Sequence, residues 1–436
     1  MDQEIAGIQS AVETALAEYI DRVCKGNAAL FGQFDNWKAE ITRRVQMRLQ
    51  QLKEKGFQEA PGLTDEACKE LQDIWDTMVV TYADKSALDL VLVCKDVYRS
   101  LLQHELSTSR VYERLDRPVE EVYSFHAQLA ECVEQVPVDS PAHLYGVMKM
   151  HKNPVGVRWI AGARMVQVNR NKKVPTTSIA QSSAALGGML REVMTMLRRK
   201  DTQLFREAGV RRYWIVHSAE EVAQQLKCLN ATTLGRLWTH DFTAMYTSLP
   251  QQAVFQQVVK ACEEAFAYAA DLAHSSAEEM GMEVIYDYRM KATAKFSNAG
   301  QFGLEHVKRL LQAALTGTLI QQSERADVLL QKQGIPMGGK ASAEIANIYC
   351  YAIEAQMVSE VMKKYGIPAA RKFNSIMRFV DDMIGSGEMD WNALPYRMEH
   401  KETTQSDGSV VFLGMKVTKL EHQFLLEQQP KGLGWA

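Results

Sequence analysis

The sequence predicts an α+β fold in which an antiparallel sheet carries a turn with two adjacent aspartates. Helical and strand-like segments follow one another along the chain, and several strands are spaced as hairpins. Within residues 378–384, apolar residues lead into Asp381 and Asp382 and resume after them, the pattern of a short hairpin that lifts two acids out of a packed sheet. A further acid, Asp241, lies in an earlier strand-like run, and the glycine-rich segment 333–340 lies between the two.

The spacing of apolar residues assigns the elements in chain order. The first 75 residues are predicted as helices, and Thr64 is the predicted N-cap of one of them. Residues 275–305 have mixed character and are predicted as an inserted hairpin. The further predicted helices are residues 95–135, 180–200, 251–274, 304–322 and 341–361. The predicted strands are residues 88–94, 144–160, 238–246 and 410–417, and the two that flank Asp381 and Asp382.

Length and composition are those of an ordinary globular protein. A chain of 436 residues is expected to form about two or three subdomains with a substantial core. No apolar run approaches the roughly 20 residues that a membrane helix needs, and the chain does not start with a signal-peptide pattern. The seven cysteines are scattered and form no C-x-x-C pair, which indicates reduced residues and neither a disulfide framework nor a zinc site. We therefore expect an intracellular protein without a membrane partner; nucleus, cytoplasm and organelle all stay open.

The charge distribution points to phosphate binding although the net charge does not. A net charge of −3 is unusual for a protein that binds nucleic acid. Residues 140–191, however, contain no Asp or Glu, and they combine basic residues with glycine, proline and aromatic residues. A solvated surface is the alternative interpretation of this basic tract. Its basic residues are Lys149, Lys152, Arg158, Arg164, Arg170, Lys172, Lys173 and Arg191.

The acids suit a divalent metal site. Nucleotidyl transfer uses two divalent ions about 4 Å apart, and carboxylates from neighbouring strands can bridge them. Asp241 and Asp381 are the predicted bridge, with Asp382 as a secondary ligand or an acid behind the ligands. The alternatives are a solvated turn for the aspartate pair and a helix or turn cap for Asp241. In the segment 333–340, glycines permit close approach of backbone to a ligand or template strand; an ordinary loop-to-helix junction is the alternative.

Taken in order, these segments resemble the reverse transcriptases, and most closely those of Penelope-like elements. The resemblance extends from about residue 82 to residue 424, and its order makes it more specific than any one motif. Ser86 stands in place of the family's glycine, Trp159 in place of a common proline, and residues 340–343 lack the usual S-P-L-S-P. The matching segments are A-D-K-S at 83–86, Y-G-V-M-K-M-H-K at 145–152, D-F-T-A-M-Y-T-S-L-P at 241–250, Q-G-I-P-M-G at 333–338, A-N-I-Y at 346–349, F-V-D-D at 379–382 and F-L-G at 412–414.

The resemblance implies a right-hand polymerase fold and RNA-directed DNA synthesis. The implied parts are an N-terminal helical extension (1–75), fingers (76–235), a palm with an antiparallel sheet (236–425) and a short tail (426–436). Only 22 residues follow Gly414, so the thumb is expected to be reduced, absent or supplied by a protein partner. The implied partners are an RNA template, a DNA or RNA primer and deoxynucleoside triphosphates.

The resemblance also assigns site residues. Asp241, Asp381 and Asp382 would be catalytic, and together with Phe242 they would form the metal site for two Mg²⁺ ions, with Mn²⁺ as a substitute. The aromatic ring of Tyr246 would exclude a 2′-hydroxyl and so select deoxynucleotides; a core tyrosine is the alternative. The implied nucleotide-binding residues are Lys85, Lys149, Lys152, Arg158, Tyr246, Met337 and Gly338. The implied nucleic-acid-binding residues are Arg164, Arg170, Lys172, Lys173, Gly334, Phe412 and Gly414.

Two other functions are compatible with the sequence. The first is a polymerase or terminal transferase that uses ribonucleotides. The second belongs to a different class: a catalytically silent, reverse-transcriptase-like subunit that binds nucleic acid within a ribonucleoprotein. The near-neutral charge favours this second function, whereas three acids that nothing structural requires together oppose it.

Overall fold

The computed structural model of the chain divides into two compact units, Met1–Thr77 and Met78–Ala436. In the first unit residues 39–47 are helical, and helix α1 spans Asp65–Thr77. The Ala67 amide donates to the Thr64 hydroxyl at 3.2 Å, which confirms the predicted N-cap. The structure describes residues 39–47, 64–84, 86–108, 110–133, 141–150, 152, 154–162, 165–169, 172–175, 178–286, 291–322, 326–389, 396 and 398–428.

The second unit combines helices with several small sheets. Its helices are α2 (Lys95–Thr108), α3 (Val119–Leu129), α4 (Ser178–Ala208), α5 (Ala219–Cys228), α6 (Met245–Ser248), α7 (Gln251–Ala273), α8 (Leu304–Thr316), α9 (Ser342–Tyr365) and α10 (Ile367–Ala370). Its strands are β1 (Met78–Ala83), β2 (Ser86–Cys94), β3 (Tyr112–Arg114), β4 (Ala142–Lys149), β5 (Gly156–Gly162), β6 (Met165–Asn169), β7 (Lys172–Pro175), β8 (Leu237–Phe242), β9 (Gly281–Tyr286), β10 (Ala292–Ser297), β11 (Leu319–Gln321), β12 (Leu329–Gln331), β13 (Met377–Phe379), β14 (Asp382–Ser386), β15 (His400–Glu402), β16 (Val410–Phe412), β17 (Met415–Lys419) and β18 (Phe424–Gln428).

Two sheets position the candidate site. The palm sheet has four strands in the order β13-β14-β8-β15, and each neighbouring pair is antiparallel. A seven-stranded mixed sheet runs β2-β1-β4-β11-β12-β3, and β5 pairs with β4 off this path. The strands β16, β17 and β18 form a separate antiparallel sheet. The predicted α+β fold with an antiparallel palm sheet is thereby confirmed.

The palm sheet is buried on both faces because its strands alternate between two cores. Trp238, Phe242 and Met383 face the larger core, which also contains apolar residues of α4, α7, α8 and α9. Leu237 and Ile384 face a smaller core that includes residues of α5, β16 and β17. Within the described residues, no helix is long and apolar enough to cross a membrane.

Three predicted elements are wrong in their bounds for identifiable reasons. Residues 95–135 form two helices with β3 between them, because Pro118 cannot donate within a continuous helix and instead precedes α3 with φ −57°. Residues 410–417 form a hairpin, because Leu413 and Gly414 both have positive φ, 51° and 74°. The helix predicted over 304–322 ends at Thr316.

Two other segments of the sequence are also divided in the structure. The predicted strand 238–246 ends at Phe242. Ala244 adopts a left-handed conformation (φ 51°) and is the N-cap of the short helix α6. The strand-like segment 144–160 is a pair of antiparallel strands, β4 and β5. The inserted hairpin predicted within 275–305 is present as β9 and β10.

Candidate active site

The palm sheet brings the three predicted acids to one end. Strands β13 and β14 are joined by a two-residue turn, Val380 and Asp381, in which Val380 has φ 54°. Asp382 is the direct cross-strand partner of Asp241, and direct cross-strand partners in an antiparallel pair present their side chains on the same face. The amide of Phe242 donates to the Asp381 carbonyl at 3.1 Å, which fixes the turn against the end of β8.

The donor set fits Mg²⁺. Among the described residues no three His, Cys, Asp or Glu side chains form a group that could hold a metal ion by themselves. Mg²⁺ does not require such a group, because it keeps several waters and binds through one or two carboxylates together with substrate phosphates. Asp241, Asp381 and Asp382 could supply carboxylate oxygens of that kind at the end of the two central strands, β8 and β14.

The glycine-rich segment 333–340 packs against the backbone at Tyr246 and Leu249, in and just after helix α6. The Ile335 amide donates to the Tyr246 carbonyl at 2.6 Å, and the Gly334 amide donates to the Leu249 carbonyl at 2.8 Å. Gly334 is buried with φ 78°, and a Cβ there would lie 2.3 Å from the Tyr246 carbonyl oxygen. Gly338, which is exposed with φ 117°, approaches the Ala161 carbonyl in the same way. The close approach that glycine permits at both positions is therefore to protein backbone.

Tyr246 is half-buried beside the acids. Burial, and next the charge of Asp381, raise the pKa of its phenol to about 12, so the side chain is neutral at physiological pH. Its carbonyl is held by Ile335, and helix α6 begins at the preceding residue, Met245, which is buried. The backbone that carries the ring is thus held next to the predicted metal-binding acids.

Lys149 on β4 and Arg158 on β5 lie near acidic side chains. The Arg158 guanidinium lies 2.9 Å from the carboxylate of Asp84, whose side chain is almost fully buried. Burial and the nearby charge of Arg158 lower the pKa of Lys149, whereas the charges of Asp84 and Asp241 act in the opposite direction. Lys149 therefore lies within electrostatic reach of both Asp241 and Arg158.

The other predicted contacts have varied placements. Lys152 is exposed, and the Met337 carbonyl accepts a hydrogen bond from Ala161 at 2.8 Å. Phe412 is buried in the smaller core, while the neighbouring Gly414 occupies an open turn. Lys172 and Lys173 lie in β7, but their side chains are outside the described set. Lys85, Arg164 and Arg170 lie outside the described residues. Contact of these residues with nucleic acid or nucleotide stays a prediction.

Two residues near the predicted acids, Lys401 and Arg378, are candidates for a functional role that the sequence did not reveal. Lys401 on β15 is the direct cross-strand partner of Asp241, so the row across the palm sheet reads Lys401, Asp241, Asp382. Arg378 on β13 is fully buried and bonded to the turn before Asp381. A three-residue polar strand has no periodicity to reveal it, and an arginine close to two aspartates is expected to be exposed.

Comparison with known proteins shows the fold. No known family profile and no curated protein sequence matches the chain. Among solved structures, the telomerase of Candida albicans in complex with a TWJ fragment of telomeric RNA superposes with a TM-score of 0.52 at 13% identity, over 84% of this chain and 56% of that one. Apo telomerase of Candida tropicalis superposes with a TM-score of 0.50 at 12% identity, over 84% of this chain and 58% of that one.

The chain thus spans a little over half the length of these telomerases. Over that part it shares the fold of these two telomerases, which agrees with the predicted right-hand fold of fingers and palm. At 12% and 13% identity the likeness concerns the fold and leaves the particular relationship to Penelope-like elements as an inference from sequence.

The packing of Gly334 provides a test of the site's architecture. Gly334→Ala is expected to lower the free energy of unfolding by about 2–4 kcal/mol, because positive φ and backbone overlap act together. Gly387→Ala is the matched control, since Gly387 also has a positive φ, 84°, but a Cβ at that position would meet no atom within 4 Å.

Urea unfolding followed by circular dichroism measures both variants. The control is expected to lose only about 1 kcal/mol, the cost of an L-residue at positive φ. Equal losses of unfolding free energy in the two variants would show that overlap of the added Cβ with the Tyr246 backbone does not destabilise the Gly334 variant.

Proposed function

We propose that this protein is an RNA-directed DNA polymerase that extends a DNA or RNA primer by two-metal nucleotidyl transfer. The observation that supports it best is the meeting of Asp241 with the Asp381–Asp382 turn at one end of an antiparallel palm sheet. The shared fold with two telomerases, one of them bound to telomeric RNA, gives independent support. The sequence resemblance to Penelope-like reverse transcriptases adds the preference for deoxynucleotides.

In this proposal each side chain has a definite task. Asp241, Asp381 and Asp382 would hold two Mg²⁺ ions, and the Phe242 backbone, bonded to the Asp381 carbonyl, keeps the acids in register. When bound, the metal ions supply a Lewis acid that favours the 3′-oxyanion and neutralises phosphate charge. The ring of Tyr246 forms the floor beneath the incoming sugar.

Lys149 and Arg158 are proposed to bind the triphosphate. Arg158 is oriented by Asp84 at 2.9 Å, and a guanidinium fixed in this way can bind phosphate oxygens in a defined geometry. Lys149, partly withdrawn from water, adds a compact positive charge next to the acids. Both cations would stabilise negative charge on the leaving pyrophosphate.

Loss of either cation is expected to weaken nucleotide binding. Lys149→Ala and Arg158→Ala should each raise KM for deoxynucleotides about 10–100-fold, the effect of about 1.5–3 kcal/mol for a charged hydrogen bond. Steady-state primer extension measures this, and Lys227→Ala, which removes an exposed lysine on α5, is the control. A change in kcat alone, with KM unaltered, would contradict a ground-state phosphate contact.

The decisive experiment is primer extension by purified protein on a primed RNA template. Mg²⁺ or Mn²⁺ is supplied with deoxynucleotides or ribonucleotides in separate reactions, and Asp381→Ala/Asp382→Ala serves as the inactive control. Extension with deoxynucleotides that the double variant loses supports the proposal. Extension with ribonucleotides alone would favour the alternative of an RNA polymerase or terminal transferase.

A catalytically silent subunit is the second candidate. The observation that favours it is the net charge of −3. It predicts a folded protein that binds RNA but extends no primer with either nucleotide set. Addition of a protein partner that supplies a thumb would separate this candidate from an enzyme that requires one.

A further inference from the structure

Arg378 is a buried cation that hydrogen-bonds both the Val380–Asp381 turn and helix α9. Its side chain has 0% exposure. The Nη1 group donates to the Val380 carbonyl at 3.0 Å and to Asn347 Oδ1 at 2.8 Å, and Nε donates to Glu354 Oε1 at 2.5 Å. The Nη2 group donates to the Asn347 carbonyl at 3.1 Å and to Glu354 Oε2 at 3.3 Å. One planar guanidinium therefore links the turn to two residues of helix α9.

The turn needs such support because of its backbone. Val380 is β-branched yet has φ 54°, a conformation that persists in L-residues only when the surroundings impose it. Its carbonyl is held by Arg378, and the next carbonyl, that of Asp381, is held by the Phe242 amide at 3.1 Å. Both peptide groups that flank the metal-site acid are therefore anchored.

The helix side of the link is equally constrained. Glu354 is fully buried and also accepts a hydrogen bond from the Tyr396 hydroxyl at 3.0 Å. Burial would lower the pKa of Arg378, but the Glu354 carboxylate more than offsets this and the pKa is raised, so the cation stays charged. Helix α9 follows the glycine-rich segment that packs against Tyr246. Arg378 thus connects the Val380–Asp381 turn with helix α9, which follows the segment packed against Tyr246.

A buried ion pair by itself is weak evidence for stability, since well-packed apolar residues often serve as well. The observed contacts indicate a different task. We propose that Arg378 is a positioning residue that locks the Val380–Asp381 turn to helix α9 and thereby sets the placement of the metal-binding acids. This inference rests on the proposed function, because the exact placement of the turn matters only if its acids bind the catalytic metal ions.

The matched test compares conservative substitutions of two arginines that pair with buried carboxylates, the buried Arg378 and the partly buried Arg212. Arg378→Lys keeps the charge but cannot reach Glu354, Asn347 and the Val380 carbonyl at once. Arg212→Lys is the control: Arg212 also bonds a buried carboxylate, Asp201 at Nε–Oδ1 2.9 Å, but it contacts no residue of the β13–β14 turn. Two quantities are measured without catalysis: hydrogen exchange of the Phe242 amide, and Mn²⁺ affinity by electron paramagnetic resonance.

In Arg378→Lys we expect exchange of the Phe242 amide to become about 10-fold faster. Mn²⁺ should bind about 10–100-fold more weakly, the usual effect of losing a partner that orients metal ligands. In primer extension, kcat should fall by a similar factor while KM for deoxynucleotides changes little. Arg212→Lys should leave exchange at Phe242, Mn²⁺ affinity and kcat at wild-type values. This should hold even if its thermal midpoint falls as much as that of Arg378→Lys.

If Arg378→Lys does not fold, Arg378→Met/Glu354→Met decides, because it replaces both charges with apolar side chains and leaves no donor for the Val380 carbonyl. Wild-type exchange at Phe242 together with wild-type Mn²⁺ affinity in a folded Arg378 variant would overturn the inference. Absence of primer extension by the wild-type protein would count against the proposed enzymatic function and not against this inference, since exchange at Phe242 still reports on the turn.

Discussion

Asp381→Ala is expected to reduce primer extension at least ~10³-fold, the effect of losing a group that holds catalytic metal. The fold should survive, because the hydrogen bond that ties the turn to β8 uses the Asp381 carbonyl and not its carboxylate. Carboxylates held close together without metal repel one another. Relief of this repulsion acts in the variant's favour when a chelator is present, so we expect the variant to stay folded.

Single-turnover extension and thermal unfolding with EDTA measure the two effects. Asp271→Ala is the matched control, since Asp271 is exposed on helix α7, away from the palm sheet. Asp241→Ala should reproduce the loss, and Asp382→Ala should show a smaller one if Asp382 is only a secondary ligand. Extension by Asp381→Ala at the control's rate would refute the metal assignment, whatever its stability.

The hairpin at Asp381 and Asp382 could be predicted from sequence because its signal is local. Apolar residues on both sides of two adjacent acids indicate a hairpin directly, although the turn consists of Val380 and Asp381, and Asp382 already belongs to β14. The pairing of Asp382 with Asp241 is a different matter. It joins residues about 140 positions apart, and in the sequence only the resemblance to an ordered set of polymerase motifs connects them.

Features that depend on tertiary contacts could not be predicted in the same way. The sequence predicts Tyr246 at the end of a strand, but the left-handed backbone at Ala244 turns the chain and places this residue in a short helix. Lys401 lies in a polar strand of three residues, and only its pairing with β8 brings it beside Asp241. Arg378 has the sequence context of a surface cation, and only the packing of Glu354, 24 positions earlier, accounts for its burial.

Tyr246→Ala is expected to raise kcat/KM for ribonucleotides about 10–100-fold relative to deoxynucleotides. The reason is steric: removal of the ring relieves an overlap with the 2′-hydroxyl that costs about 1–3 kcal/mol. Tyr246→Phe is the matched control, since it keeps the ring and removes only a phenol whose pKa burial and Asp381 raise to about 12. Its sugar preference should equal that of the wild type.

Competition between the two nucleotide sets in primer extension gives the ratio directly, and thermal unfolding accompanies it. A core tyrosine would behave differently: Tyr246→Ala would lose stability without any change in sugar preference. A polymerase built for ribonucleotides would also show no change, yet its wild type would already accept them. The Ile335 amide donates to the Tyr246 carbonyl and the Gly334 amide to the Leu249 carbonyl, so the backbone that carries the ring is held in place. If the ring selects the sugar from this position, its removal should increase ribonucleotide use more than it decreases deoxynucleotide use.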